Sequence, residues 1–267
     1  MGHLAEKRLA AVVFRNSTLT RRPDAQDVTR RSHAVDIRMS APSPTAPLIV
    51  SAPPRFAAVR PIGRRQYLRV DGFLTPDAAE AVYEELSADD NFERLNAARS
   101  GSPSLRSFGA LQLREGRRAA EPIQSCFGLF THPWFEDLIS RLVGEQVRCL
   151  RPPRAYRLSR GDRLEVHDDL FDHRHRASVV LSFAKGWRRS YGGNTLVGRV
   201  ARVEESRGSS AINCRWVLSR SNTLLTPRFN SLIIIPLRPE LAHAVTTVKA
   251  NLPRISIASI YGRLHAQ

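Results

Sequence analysis

The hydrophobic spacing of this chain changes once, near Gly144, and that change constrains its fold more than any other feature. Before it, apolar residues recur at helical spacing. Thr75 is a good N-cap, Pro76 suits the first helical position, and Asp77 suits the positive end of a helix dipole. Ala78, Val82 and Leu86 then give one apolar face to about Ala88. A second helix is predicted from Pro133 to Val143, with Trp134, Leu138, Ile139, Leu142 and Val143 as its buried stripe and Gly144 as its C-cap. A weaker helix is predicted between about 120 and 130, and His132 reads as a helix-start residue.

After Gly144 the period becomes that of strands. Short β-type runs lie near 147–158, 163–168, 177–184, 194–200, 211–218, 231–236, 242–248 and 254–261, separated by Gly, Pro, Asn and Ser. Helices first and a β-half afterwards is an α+β arrangement, and many short strands at this spacing point to a sandwich or barrel. Order is expected to begin near Gln66, with a strand at Tyr67–Val70 and a turn at Asp71-Gly72. Residues 99–104 read as a flexible loop.

Residues 1–60 differ in character. They hold Ser-Ala-Pro and Ala-Pro-Pro segments and little periodicity, and they carry ten basic against four acidic residues. A disordered extension is the expectation. A true start at Met39 is a second reading. An organelle-targeting peptide is a third, against which Asp24, Asp27 and Asp36 count. The expected organisation is therefore this extension followed by one domain over 61–267, helical over 61–145 and β over 146–264.

The net charge is +16, and with only Lys7, Lys185 and Lys249 as lysines, 38 of the 41 basic residues are arginine. The arginines are scattered, with no dense basic run and no zinc-finger spacing. Codon bias of a GC-rich genome explains them better than nucleic-acid binding, so no nucleic-acid partner is expected. No apolar run reaches the roughly 18–20 residues of a membrane span. Cys126, Cys149 and Cys214 make an odd count without a CxxC, which fits neither a disulfide framework nor a zinc site. A reducing, cytoplasmic setting is the expectation.

The chemistry is concentrated in a few residues. In Val166-His167-Asp168-Asp169, strand alternation would turn His167 and Asp169 to one face. An imidazole and a carboxylate so placed need one further histidine to form the facial triad of non-haem Fe(II) oxygenases. His243 stands 76 residues after His167, in Leu241-Ala-His-Ala-Val245, behind the apolar run Leu232–Ile235. Arg254 and Ser256 follow on a common strand face. A guanidinium beside a hydroxyl is a good carboxylate receptor, because the fork binds both oxygens. His-x-Asp alone is weak, and a polar strand end would usually explain it. The ordered set, His-x-Asp, a distant strand histidine and then Arg-x-Ser eleven residues on, is far more specific.

With Tyr156–Leu164 before it and Ser178–Phe183, Trp187 and Gly192-Gly193-Asn-Thr-Leu196 after it, this set resembles the prolyl-4-hydroxylase-like branch of the 2-oxoglutarate/Fe(II) dioxygenases. The resemblance covers roughly residues 145–262. It implies a double-stranded β-helix (jelly-roll, cupin-like) with helices packed outside. It implies Fe(II) at His167, Asp169 and His243, with 2-oxoglutarate at Arg254 and Ser256 and near Tyr156, and O₂ as oxidant. The carboxylate at Asp169 departs from halogenating relatives, which keep a small residue there. Ile260 stands where a nucleic-acid dealkylase of the superfamily would carry a second arginine.

The resemblance implies hydroxylation of an unactivated C–H, with release of succinate and CO₂. A small amino-acid-like or natural-product substrate is expected. Modification of a prolyl residue in a peptide is one alternative. A non-catalytic β-barrel binding protein and a cupin-type iron enzyme without 2-oxoglutarate are others. His173 and His175 read as a polar loop rather than as substrate contacts, Trp187 as packing or pocket wall, and Gly192-Gly193 as a tight turn between strands.

Overall fold

The structure, a computed structural model, describes residues 61–88, 90, 92–94, 111–113, 119–170, 173–207 and 212–264. The expectations for residues 1–60 and for a loop at 99–104 lie outside the described residues.

Three helices form where capping and periodicity place them. Helix α1 spans Pro76–Ala88, and the Thr75 hydroxyl accepts from the Ala78 amide at 3.4 Å. It buries Ala79, Val82 and Leu86, whereas Ala78, expected in that stripe, is only half-buried. Helix α2 spans Glu121–Phe130 and buries Ile123, Cys126, Leu129 and Phe130. Helix α3 spans Pro133–Val143. His132 caps it, its Nδ1 accepting from the Trp134 amide at 3.2 Å, and Gly144 ends it at φ 82°. Its buried apolar stripe is Phe135, Leu138, Ile139 and Leu142, at steps of three, one and three residues. Trp134 and Val143, predicted within the stripe, are half-buried at its margins. Phe135 lies among Phe73, Phe130 and Tyr261, with ring centroids 5.5, 5.6 and 6.0 Å away. Burying such a ring stabilises by about 1.5–3 kcal/mol.

Thirteen strands are seen among the described residues: β1 (Leu68–Asp71), β2 (Phe92–Arg94), β3 (Leu111–Leu113), β4 (Arg148–Cys149), β5 (Arg154–Leu158), β6 (Leu164–His167), β7 (His175–Phe183), β8 (Thr195–Arg207), β9 (Ile212–Leu218), β10 (Thr223–Leu225), β11 (Phe229–Pro236), β12 (Leu241–Val245) and β13 (Arg254–Gly262). The larger sheet runs β1-β11-β7-β13-β5-β3-β2, with β4 on β13; the smaller runs β10-β8-β12-β6, with β9 on β8. Every strand pairing among the described residues is antiparallel. Two such antiparallel sheets form the double-stranded β-helix expected from the sequence.

Alternation sorts the larger sheet into two faces. Ala177, Val179, Leu181 and Phe183 of β7, Leu232 and Ile234 of β11, and Ile255, Ile257 and Tyr261 of β13 pack with the helices in one apolar core. The intervening residues face the other way, into the barrel. Ile233 and Ile235 of β11 meet Val197 and Leu225 of the smaller sheet, and Leu158 of β5 meets Val245 of β12. One level of this inner face is polar. Register pairs Ser231 with Ser182, Ser182 with Ser256, Ser256 with Tyr156, and Tyr156 with Gln112. The three serines are 0%, 1% and 3% exposed, so this row lies inside the protein rather than on its surface.

Candidate metal centre

β6 ends at His167, and β12 lies beside it in register, pairing His243 with His167 across the ladder. That pairing sets the two imidazoles 4.3 Å apart, centroid to centroid. Asp169 does not reach them by the strand alternation that Val166-His-Asp-Asp169 suggests. The strand has already ended, and Asp169 takes a left-handed backbone at φ 56°. That turn brings its carboxylate between the rings, with Oδ1 3.6 Å from His167 Nε2 and Oδ2 3.2 Å from His243 Nε2. One ligand atom from each of the three lies within 4.8 Å of the others.

The electrostatics suit a dication. His167 Nδ1 lies 2.7 Å from the Glu165 carbonyl oxygen, which can only accept, so the proton sits on Nδ1 and the Nε2 lone pair is available. Burial, followed by the neighbouring His243, pushes the His167 pKa down and keeps that ring neutral. Burial alone would raise the Asp169 pKa. The pull of His167 and His243, with a hydrogen bond from Ser178, outweighs it and holds the carboxyl well below its ordinary range. Two imidazoles and one ionised carboxylate are the donor set of a facial triad with open positions.

A second polar group lies on the inner face of the larger sheet. Arg254 begins β13 on the inner face and is 4% exposed. Its Nη2 donates to Thr195 Oγ1 at 3.2 Å, while its Nε has no partner. No acidic side chain among the described residues offsets its charge, and burial lowers its pKa to about 10. A buried, uncompensated guanidinium is costly. Beside it, Ser256 stands two residues along the same face, and the fully buried Ser182 hydroxyl next to Ser256 lacks a partner too. These orphaned donors fit an incoming carboxylate. Tyr156 is in register with Ser256, and burial raises its pKa.

Gly192 and Gly193, at φ 69° and 60°, connect the short 3-10 turn Arg189–Tyr191 to β8. A Cβ on Gly192 would lie 1.9 Å from the Thr247 carbonyl oxygen, so only glycine fits there. Trp187 donates Nε1–H to the Gly192 carbonyl at 2.8 Å and packs with Leu158, Val245 and Val248.

Residues 153–262 match the model of the 2OG-Fe(II) oxygenase superfamily. That segment is a 2-oxoglutarate-dependent dioxygenase domain, of a family whose reagents are Fe(II), 2-oxoglutarate and O₂.

Solved structures share this oxygenase's fold at low identity. A prolyl hydroxylase from Trichoplax adhaerens, in complex with a hypoxia inducible factor peptide fragment, has 15% identity and a TM-score of 0.57, over 75% of this chain and 85% of its own. A prolyl-4-hydroxylase from Pseudomonas putida has 16% identity and a TM-score of 0.53, over 76% and 95%. The epimerase SnoN, in complex with Fe3+, alpha ketoglutarate and nogalamycin RO, has 16% identity and a TM-score of 0.53, over 78% and 82%. No curated protein matches the oxygenase by sequence.

Two residues of the oxygenase's site escape sequence reasoning. Thr195 meets Arg254 from another sheet, which no local pattern shows. His175, read from sequence as part of a polar loop, opens β7, is 4% exposed and bonds the main chain of Asp169. His173, by contrast, is exposed. No helix among the described residues is long and apolar enough to cross a membrane.

Proposed function

We propose that His167, Asp169 and His243 hold the Fe(II), that Arg254 anchors 2-oxoglutarate with Ser256 and Tyr156 beside it, and that the oxygenase hydroxylates an unactivated C–H of a small amino-acid-like or natural-product substrate. The carrying observation is that three ligand atoms gather within 4.8 Å in the same barrel as a buried arginine without a counter-charge. When bound, the metal, the 2-oxo acid and O₂ supply an oxidative decarboxylation that yields succinate and CO₂ and delivers one oxygen atom to the substrate C–H. The chain positions the reagents. His167 and His243 contribute imidazole nitrogens, and Asp169 contributes one negative charge. Arg254 and Ser256 bind the far carboxylate of the 2-oxo acid, with the arginine fork fixing its angle. The apolar residues Leu158, Val245, Val248 and Trp187 keep that end of the pocket dry. Residues 61–267 form the catalytic unit in this reading.

The similarity to SnoN, whose structure holds a natural product, supports a small substrate. The similarity to two prolyl hydroxylases favours a second reading, modification of a prolyl residue in a peptide. A panel of free amino acids, tailoring precursors and proline-containing peptides, read by succinate release above the uncoupled background, separates them. Turnover on peptides alone reverses the order. Failure of the protein to bind Fe(II) removes both.

A further inference from the structure

Asp169 stands out among the proposed iron ligands because its own backbone works against it. A non-glycine residue in the left-handed region carries a strain of about 1 kcal/mol, yet this turn is what swings the carboxylate between His167 and His243. Something must hold it there. Asp168 contributes locally, its Oδ1 accepting from the Leu170 amide at 3.1 Å. The second support comes from across the fold. His175 Nδ1 lies 2.7 Å from the Asp169 carbonyl oxygen.

That carbonyl can only accept, so His175 Nδ1 carries the proton and donates it. The ring cannot drift, since His175 is 4% exposed at the start of β7, a strand flanked on both sides by β11 and β13. Its pairing partner on β13 is Gly262, where an added Cβ would lie 2.3 Å from the Arg174 carbonyl oxygen. The glycine therefore lets β13 close tightly over this end of β7. Three residues further along β7, Ser178 hydrogen-bonds the Asp169 carboxylate itself. One strand of the large sheet thus grips both the main chain and the side chain of the ligand.

We infer that His175 is a positioning residue for the metal centre, which fixes the peptide plane of Asp169 so that its carboxylate meets the ion at the angle the two imidazoles require. The inference rests on the iron assignment above. His175 touches neither ion nor 2-oxo acid, and its effect passes through Asp169. Outer partners of metal ligands act this way, and their loss lowers metal affinity by roughly 10–100-fold.

The test compares His175→Leu, which fills space without a donor, with His175→Asn, whose side-chain amide can replace Nδ1–H. Fe(II) affinity is measured by titration, and the visible charge-transfer band of the Fe(II)–2-oxoglutarate complex is recorded at saturating metal. His175→Leu is expected to lose roughly 10–100-fold in Fe(II) affinity and to shift the band, while His175→Asn restores both. A folded His175→Leu protein with wild-type affinity and an unshifted band overturns the inference and leaves the iron assignment intact. Wild-type protein that binds no Fe(II) overturns both. Should His175→Leu fail to fold, nitrogen NMR of the zinc-loaded wild type decides. A slowly exchanging Nδ1–H on His175 supports the inference, and a ring protonated on Nε2 alone overturns it.

Discussion

Gly193 lies against Arg254 so closely that a β-carbon on the glycine would sit 3.1 Å from the arginine Cδ, and equally close to Trp187 Cζ2 and Val248 Cγ2. Three side chains at that distance leave no direction for relief, and φ at 60° already disfavours a side chain. Gly193→Ala is therefore expected to push the Arg254 stem out of line. Overpacking of this kind costs about 1–3 kcal/mol, so the KM for 2-oxoglutarate should rise roughly tenfold, since 1.4 kcal/mol is one decade. Kinetics at varied 2-oxoglutarate check this, and an unchanged KM would show that the arginine tolerates the methyl group.

Arg254→Met makes an unusual pairing of outcomes. The arginine is buried without a counter-charge. Replacing it with an apolar chain should raise the melting temperature of the ligand-free protein, at roughly 2–4 °C per kcal/mol recovered. The same change should abolish the stabilisation that 2-oxoglutarate gives the wild type by binding the folded state. Thermal shifts with and without 2-oxoglutarate test both halves; a ligand-induced shift that survives in Arg254→Met places the 2-oxo acid elsewhere.

Cys126, wholly buried in α2, has its thiol pKa pushed by burial from 9.0 up to about 12. Between those values the unfolded thiol is ionised and the folded one is not, so the folded state holds more protons. Stability therefore falls as pH rises through that window, by up to about 1.4 kcal/mol per pH unit for this one group. Cys126→Ala should flatten that part of the stability–pH curve. Mass mapping after thiol labelling should find Cys126 unmodified until denaturant is added.

Phe135→Ala should be among the most damaging core changes. It removes the ring that touches Phe73, Phe130 and Tyr261. Phe-to-Ala changes in such cores cost about 3–5 kcal/mol. Denaturant unfolding measures it directly; a loss near 1 kcal/mol would mean that the helical layer repacks around the gap.

The large features of this oxygenase are readable in its sequence because each has a local cause. Helix α3 begins at a proline and ends at a glycine, and it spans Pro133–Val143 as predicted. Strands β7, β11 and β13 are long enough for alternation or apolar runs to register. β2, β3 and β10 have three residues each, too few for any period. The site divides the same way. His167, Asp169, His243 and Arg254 stand out by spacing. The left-handed turn at Asp169, the Thr195 contact and the grip of His175 depend on neighbours 59 and 6 residues away or on a single φ, and nothing in the sequence near them announces it.

The strands of the large sheet carry two unrelated duties on alternate residues. On β7 and β13, one set of side chains meets the helices, and the set between them lines the barrel. Mutational drift can therefore act on the lining set alone. A lineage could exchange what it oxidises through Val180 or Ala258 while the neighbouring positions keep the helical layer in place. Such a division makes the scaffold easy to retune, and it gives anyone building a variant library a short list of positions at which to begin.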